Sequence, residues 1–289
     1  MQILFKIAGA FPLPLLRALG WVLGWVSWMV SARYRHLFYS HWAGAMQHLG
    51  LSQKRRGPEG LWASIGQAGQ LISELPKIWC AKDLSPLMRI EGLEACQRAY
   101  EEGRGLIFLT PHLGAFELAP RVLGLHFPIT ILYRPARQAS VENLYVAFRP
   151  SAGVTLAQAN SSGVRKLMRA LKSGEAIGML PDQVPTRGEG LWSPFMGRLA
   201  YTMTLPARLA LLTRAPVVWT LVLREPSGWR LVFHIWTPPV LDDPSDALQA
   251  TVDAMNAQCE SLVRRAPSQY LWAYNRYKKP AGVEAPATP

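Results

Sequence analysis

His112 and Glu117 are the pair in this sequence whose types and spacing best suit the movement of a proton. They lie in the stretch Gly105-Leu-Ile-Phe-Leu-Thr-Pro-His112-Leu-Gly-Ala-Phe-Glu117. Leu106 to Leu109 are an apolar run of strand length, and Thr110-Pro111 ends it, because proline cannot donate to a strand ladder. The histidine therefore falls just past the carboxyl end of a buried strand, where open α/β sheets gather their sites. Positions five apart on a regular helix diverge by about 140°. The two side chains meet only if His112 sits in the loop and Glu117 in the first helical turn, with Gly114 bending the backbone between them. In that arrangement the carboxylate accepts the Nδ1 hydrogen and leaves Nε2 as a base. The plainer alternative is a histidine closing a strand and a glutamate placed favourably at a helix N-terminus.

Two further strand ends carry polar punctuation. Ile129 to Tyr133 leads into Arg134-Pro135, and Ala176 to Leu180 leads into Pro181-Asp182-Gln183. In a parallel sheet these ends share one edge, which would set a base, a cation and a carboxylate–amide pair around one crevice. Each also has a structural explanation: Arg134 as a surface residue before a turn, Asp182 as a cap or Asx-turn former.

The elements that must hold these residues follow from the pattern around them. Helical stretches at 93–102, 116–123, 141–149, 163–172, 204–213 and 246–264 alternate with strands at 106–109, 129–133 and 176–180. A strand pair at 217–223 and 229–236 turns around Pro226-Ser-Gly228. This predicts an α/β fold with a mostly parallel central sheet flanked by helices on both faces. The expected organisation is a hydrophobic membrane-anchoring helix over 1–33, a helical connecting region over 34–87, an α/β domain over 88–280 and a disordered Pro/Ala-rich tail over 281–289.

The segment from Phe11 to Val30 carries one charge, Arg17, and is about long enough to cross a bilayer, ~20 residues. Trp21, Trp25 and Trp28 fall on one helical face, and Gly20 and Gly24 would admit another helix closely. A membrane anchor, an interfacial helix held by its tryptophans and Arg17, and a cleaved signal peptide all fit this pattern, in that order. Lys54-Arg55-Arg56 forms a basic corner that is solvated unless a membrane lies near.

The 289 residues carry 31 Lys and Arg against 19 Asp and Glu, a net charge of +12. That surplus implies an anionic partner: nucleic acid, an anionic membrane face, or an acidic or phosphorylated substrate. Cys80, Cys96 and Cys259 form no metal-ligand or disulfide pattern, so no metal is expected. The sequence lacks GxGxxG, GxxxxGK[ST], GxSxG and HExxH, which removes the usual support for nucleotide, serine-hydrolase and zinc-peptidase functions.

Five blocks in order resemble the bacterial lipid A late acyltransferases, the lauroyl/myristoyl branch of the lysophospholipid acyltransferase superfamily. They are GRGLIFLTPHLGAFEL around His112 and Glu117, LYRP at 132–135, GEAIGMLPDQVP at 174–185, PFMGRLAYTM at 194–203 and QYLWAYNRYK at 269–278. The resemblance implies that 88–280 is an acyltransferase domain, with acyl transfer from acyl carrier protein to a hydroxyl of a phosphorylated lipid A precursor, no cofactor and no nucleic acid. It implies a place on the cytoplasmic face of a bacterial inner membrane. It assigns His112 as general base and Glu117 as its orienting acid, with backbone N–H groups at the helix start as oxyanion donors. Arg149, in Ala-Phe-Arg-Pro, joins Arg134 in contacts to phosphate or sugar acid. Asp182, beside Gln183, orients the acceptor or supports the groups that touch it. Other lipid acceptors, and a basic membrane scaffold without chemistry, are the competing expectations.

Overall fold

A computed structural model describes residues 2–136, 138–149, 151–239 and 244–286. Five helices come first: α1 (Gln2–Ala10), α2 (Leu13–Val30), α3 (Ala32–His48), α4 (Leu61–Ser73) and α5 (Leu75–Cys80). The body then runs β1 (Met88–Glu91), α6 (Leu93–Glu101), β2 (Leu106–Leu109), a 3₁₀ turn (Phe116–Leu118), α7 (Ala119–His126), β3 (Ile129–Tyr133), α8 (Ala139–Phe148), β4 (Val154–Gln158), α9 (Ser161–Lys172) and β5 (Ala176–Met179). A hairpin of β6 (Gly190–Phe195) and β7 (Arg198–Met203) precedes α10 (Leu205–Thr213), β8 (Val217–Glu225), β9 (Gly228–Trp236) and α11 (Pro244–Val263).

Seven strands make one sheet in the order β1-β9-β8-β2-β5-β3-β4. Every neighbouring pair is parallel except the β8–β9 hairpin. The α/β expectation with a mostly parallel sheet therefore holds. Strand alternation divides the core. Ile107 and Leu109 of β2 pack with Leu167, Leu209 and Met255 of α9, α10 and α11. Leu106 and Phe108 face the other way, onto Cys96 of α6 and Val122 and Leu123 of α7. Both faces of β2 are thus buried, as a central parallel strand requires.

Strand β4 and the β6–β7 hairpin escape the sequence pattern. β4 has mixed burial at the sheet edge. The β6–β7 hairpin turns at Met196 and Gly197, with φ of 48° and 75°. Positive φ at both central residues is the two-residue turn that strand twist favours, and methionine there hides the usual Asn-Gly signal. Glu260 of α11 holds the turn by accepting from Met196 N at 2.6 Å while contacting His48 Nε2 at 2.9 Å. The stretch expected as one helix over 116–123 is a 3₁₀ turn followed by α7, since Pro120 enters the first turn of a new helix.

α2 does not stand apart from the body. A Cβ on Gly24 would lie 2.1 Å from Ile65 O, and one on Gly69 would lie 2.0 Å from Gly20 O. The backbones of α2 and α4 therefore touch where glycine is the residue that fits. Arg17 turns inward, donating to Glu74 Oε1 at 2.7 Å and to the carbonyls of Glu225 and Gly228. Arg224 Nε reaches the other oxygen of Glu74 at 2.9 Å. Arg17 is thus an internal tie, which corrects the expectation that it holds the helix at an interface. Only 22% of the residues of α2 are buried, and its mean hydropathy is 1.4. Leu15, Leu19, Val22, Val26 and Met29 face outward, as do Ile3, Leu4 and Ile7 of α1. Glu74→Gln leaves two guanidinium groups facing a neutral amide inside the protein. It is expected to lower unfolding free energy by about 3 kcal/mol, read from urea denaturation.

Of the tail expected to be disordered, residues 281–286 are described, and the Glu284 carbonyl accepts from Trp192 Nε1 at 2.7 Å. Residues 287–289 lie outside the described residues.

Candidate active site

β2 and β5 are adjacent and parallel, with Leu109 opposite Met179. Three residues beyond each partner stand His112 and Asp182. The register brings them together: His112 Nδ1 lies 2.7 Å from Asp182 Oδ1, and His112 N donates to Asp182 Oδ2 at 2.9 Å. Asp182 can only accept from a ring nitrogen that carries hydrogen, so Nδ1 is protonated and Nε2 is left with its lone pair. Gln183 Nε2 stands 2.9 Å from that atom, within reach to donate to it. The Phe116 ring packs edge-on against the imidazole with centroids 4.7 Å apart.

Asp182 is almost fully buried. Burial alone would raise its pKa. The facing imidazole, the hydrogen bonds from His112 and the charge of Arg276 outweigh that and hold it below the ordinary carboxylate value.

Glu117 is not the orienting acid. Both its oxygens are taken by Arg149, from Nε at 3.0 Å and from Nη2. The reason is local. The 3₁₀ turn points Glu117 toward the end of α8, where Arg149 caps the helix and stacks over Tyr145, 4.2 Å from ring centroid to guanidinium carbon. Burial would lower the pKa of Arg149, but the Glu117 carboxylate beside it raises the net value. The pair is a two-pronged ion bridge, the geometry in which guanidinium and carboxylate bind most tightly.

His112, Glu117, Arg134, Arg149 and Gln183 all line one cavity of about 260 Å³. Asp182 sits behind the histidine. Arg134 is exposed at the end of β3, beside the cavity. Ile131, Leu156, Met179 and Leu180 give the cavity apolar walls. A smaller recess shares Phe116, Pro120, Ile131, Met179 and Leu180 with it and continues toward Gly178 and Leu123. The expected oxyanion donors are partly spent: Leu113, Gly114 and Ala115 N–H already donate to the carbonyls of Pro111, Gln269 and Val222.

The segment after α11 supplies a residue that the sequence did not single out. Tyr270 OH donates to Asp182 Oδ2 at 3.1 Å. Leu271 N bonds His112 O at 3.0 Å, and Tyr274 OH accepts from Val184 N at 2.8 Å. One short stretch therefore grips both the histidine loop and the aspartate loop. Burial, and then the charge of Asp182, push the Tyr270 hydroxyl well above its usual pKa, so it stays a donor. Its signal was the block QYLWAYNRYK, which carried a likeness but no stated role. With the donor gone in Tyr270→Phe, Asp182 attracts the imidazolium more strongly. The acid limb of the pH–rate profile should move upward and kcat fall roughly fivefold, with KM within about twofold. A purely structural tyrosine would leave the limb in place.

The chain matches the family described as bacterial lipid A biosynthesis acyltransferase over residues 60–279. It is 32% identical over 201 residues to a lipid A biosynthesis palmitoleoyltransferase of Escherichia coli K12, covering 67% of this chain and 62% of that protein. It is 27% identical over 224 residues to a lipid A biosynthesis acyltransferase of Haemophilus influenzae, covering 76% and 68%. With a lipid A biosynthesis lauroyltransferase of Escherichia coli K12 the identity is 24% over 274 residues, covering 94% and 88%. The chain thus spans somewhat less than two thirds of the palmitoleoyltransferase and most of the lauroyltransferase.

Proposed function

The chain belongs to the bacterial lipid A biosynthesis acyltransferase family, and on that premise we propose that it moves a fatty acyl chain from acyl carrier protein to a hydroxyl of a phosphorylated lipid A precursor. The reaction takes place at the cytoplasmic face of the bacterial inner membrane. The observation that carries this reading is His112, buttressed by Asp182 and opening onto a cavity with apolar walls and two arginines.

The acceptor hydroxyl displaces the Gln183 amide from Nε2. As its oxygen attacks the thioester carbonyl, Nε2 takes the proton, and Asp182 stabilises the imidazolium that forms. The tetrahedral intermediate collapses, the carbon–sulfur bond breaks, and the imidazolium returns its proton to the departing thiolate. The products are an ester and a free thiol, and the enzyme ends as it began. The acyl chain lies against Ile131, Leu156, Met179 and Leu180. Arg134 and Arg149 face the phosphates of the acceptor, where a guanidinium matches the geometry of the anion. Glu117 fixes the angle of Arg149.

The surplus of 12 positive charges steers an acidic carrier and an anionic lipid toward the protein. The outward apolar faces of α1 and α2 lie in the membrane interface. α2 is docked along α4, and that geometry favours a helix lying in the interface over one that leaves the body to span the bilayer. The test is acceptor competition: purified protein, acyl carrier protein thioester, and equal amounts of phosphorylated lipid A precursor and lysophospholipid. The precursor should gain the acyl chain. Preferential acylation of the lysophospholipid would overturn the assigned acceptor.

A further inference from the structure

A second cavity, of about 470 Å³, opens between α2, α3 and the start of α4. It shares no lining residue with the cavity around His112. Its walls combine two chemistries. Trp25, Trp28, Tyr39 and Trp62 supply aromatic surface, and Trp25 meets Trp62 edge-on with centroids 6.1 Å apart. Arg35 and Arg55 supply donors and positive charge, and the His36 ring adds a further polar group. Arg56 extends the set, its guanidinium 5.0 Å over the Trp62 ring. Arg35 is held in place by the carbonyls of Trp28 and Met29 at 2.9 and 3.3 Å, at the C-terminal end of α2.

No acid lines this cavity among the described residues. Glu59, in the adjoining loop, turns away and accepts from Ser268 N at 3.0 Å. Arg35 and Arg55 thus share an aromatic cradle whose described lining holds no carboxylate, a combination that suits an anion. The outward residues of α2 run to the same place: Val26, Met29 and Val30 are exposed, and Trp25 and Trp28 of the same helix line the cavity. A ligand that satisfies both features has a phosphate for the cations and hydrocarbon for the helix face. The basic corner Lys54-Arg55-Arg56, solvated in isolation, gains a ligand only if a membrane lies against this face.

We infer that this cavity binds the phosphate headgroup of an anionic membrane phospholipid, whose acyl chains lie along the exposed face of α2. Such a lipid is distinct from the acyl acceptor. It fixes how the protein sits on the membrane, and the inference stands whether or not the acceptor assigned above is correct.

The test compares three forms of the full chain: wild type, Arg55→Gln/Arg56→Gln, and Arg165→Gln/Lys166→Gln. The last pair lies exposed on α9 and removes the same charge elsewhere. Each form is delipidated, mixed with phosphatidylglycerol and examined by native mass spectrometry. Flotation with phosphatidylcholine vesicles, with and without phosphatidylglycerol, gives the partition. Wild type and the α9 variant should each retain one phosphatidylglycerol. The Arg55/Arg56 variant should lose it and partition roughly 30-fold less onto the anionic vesicles, at about 1 kcal/mol per cation. Its acyl transfer in detergent should match wild type. Equal weakening by the two double variants would reduce the effect to diffuse charge and overturn the site. So would equal lipid retention in all three forms, or release of the lipid by inorganic phosphate at millimolar concentration. Loss of acyl transfer in detergent would instead make the cavity part of the acceptor site.

Discussion

His112→Ala is expected to lower kcat for acyl transfer by roughly 10³ to 10⁴-fold, with partition onto membranes unchanged. An acceptor alcohol is far too weak an acid to ionise alone at neutral pH, so the attack depends on a base in contact with it. Of the two ring nitrogens of His112, Nδ1 is taken by Asp182 and Nε2 meets only the Gln183 amide, at the cavity that the histidine lines. Alanine removes the base without touching α1 or α2, which carry the exposed apolar surface. Thioester consumption and acylated product, followed by mass spectrometry, read the first quantity, and vesicle flotation reads the second. A basic scaffold without chemistry would show the same behaviour in wild type and variant.

Asp182→Asn should cost roughly 10³-fold in kcat, because it puts the imidazole hydrogen on the wrong nitrogen. The argument rests on two donors. His112 N–H points at Oδ2 and the Nδ1 hydrogen at Oδ1. An asparagine has one oxygen for these two places. The backbone N–H cannot become an acceptor, so the amide oxygen goes to it and the amide nitrogen faces Nδ1. Nδ1 must then accept, its hydrogen moves to Nε2, and the base is lost. Glu117→Gln leaves this tautomer intact, since Glu117 bonds Arg149 rather than the histidine. Its effect should appear chiefly in KM for the phosphorylated acceptor, because it loosens the hold on Arg149. A circular dichroism spectrum for each variant, alongside the kinetics, separates lost chemistry from lost fold.

The two carboxylates show how far the sequence could be read. Leu106 to Leu109, the Thr-Pro stop and the histidine after it are local features, and the structure has them where the residues put them. The partner of that histidine is not local. Glu117 was close in sequence and chemically suitable, yet a 3₁₀ turn sends it to Arg149. Asp182 lies 70 positions away and meets His112 because β2 and β5 are neighbours in register. Hydrophobic periodicity reveals that strands exist, not which strands are adjacent. The same limit hid Tyr270, which reaches Asp182 from a third part of the chain.

The N-terminal segment divides in the same way. Its apolar length and the Gly20/Gly24 pair were legible, and those glycines do admit another helix. Which helix, and that Arg17 would point inward, depended on Glu74 and Arg224. A half-buried arginine on a carboxylate that also binds a second arginine has no signature in a window of twenty residues.

The most direct measurement is the mass of lipid A precursor from bacterial cells that lack this protein, complemented with wild type or with His112→Ala. Wild type should raise the precursor mass by one acyl residue, and His112→Ala should leave it unchanged. A precursor of the same mass in all strains, or equal acylation by wild type and His112→Ala, would contradict a histidine-driven transfer to this lipid.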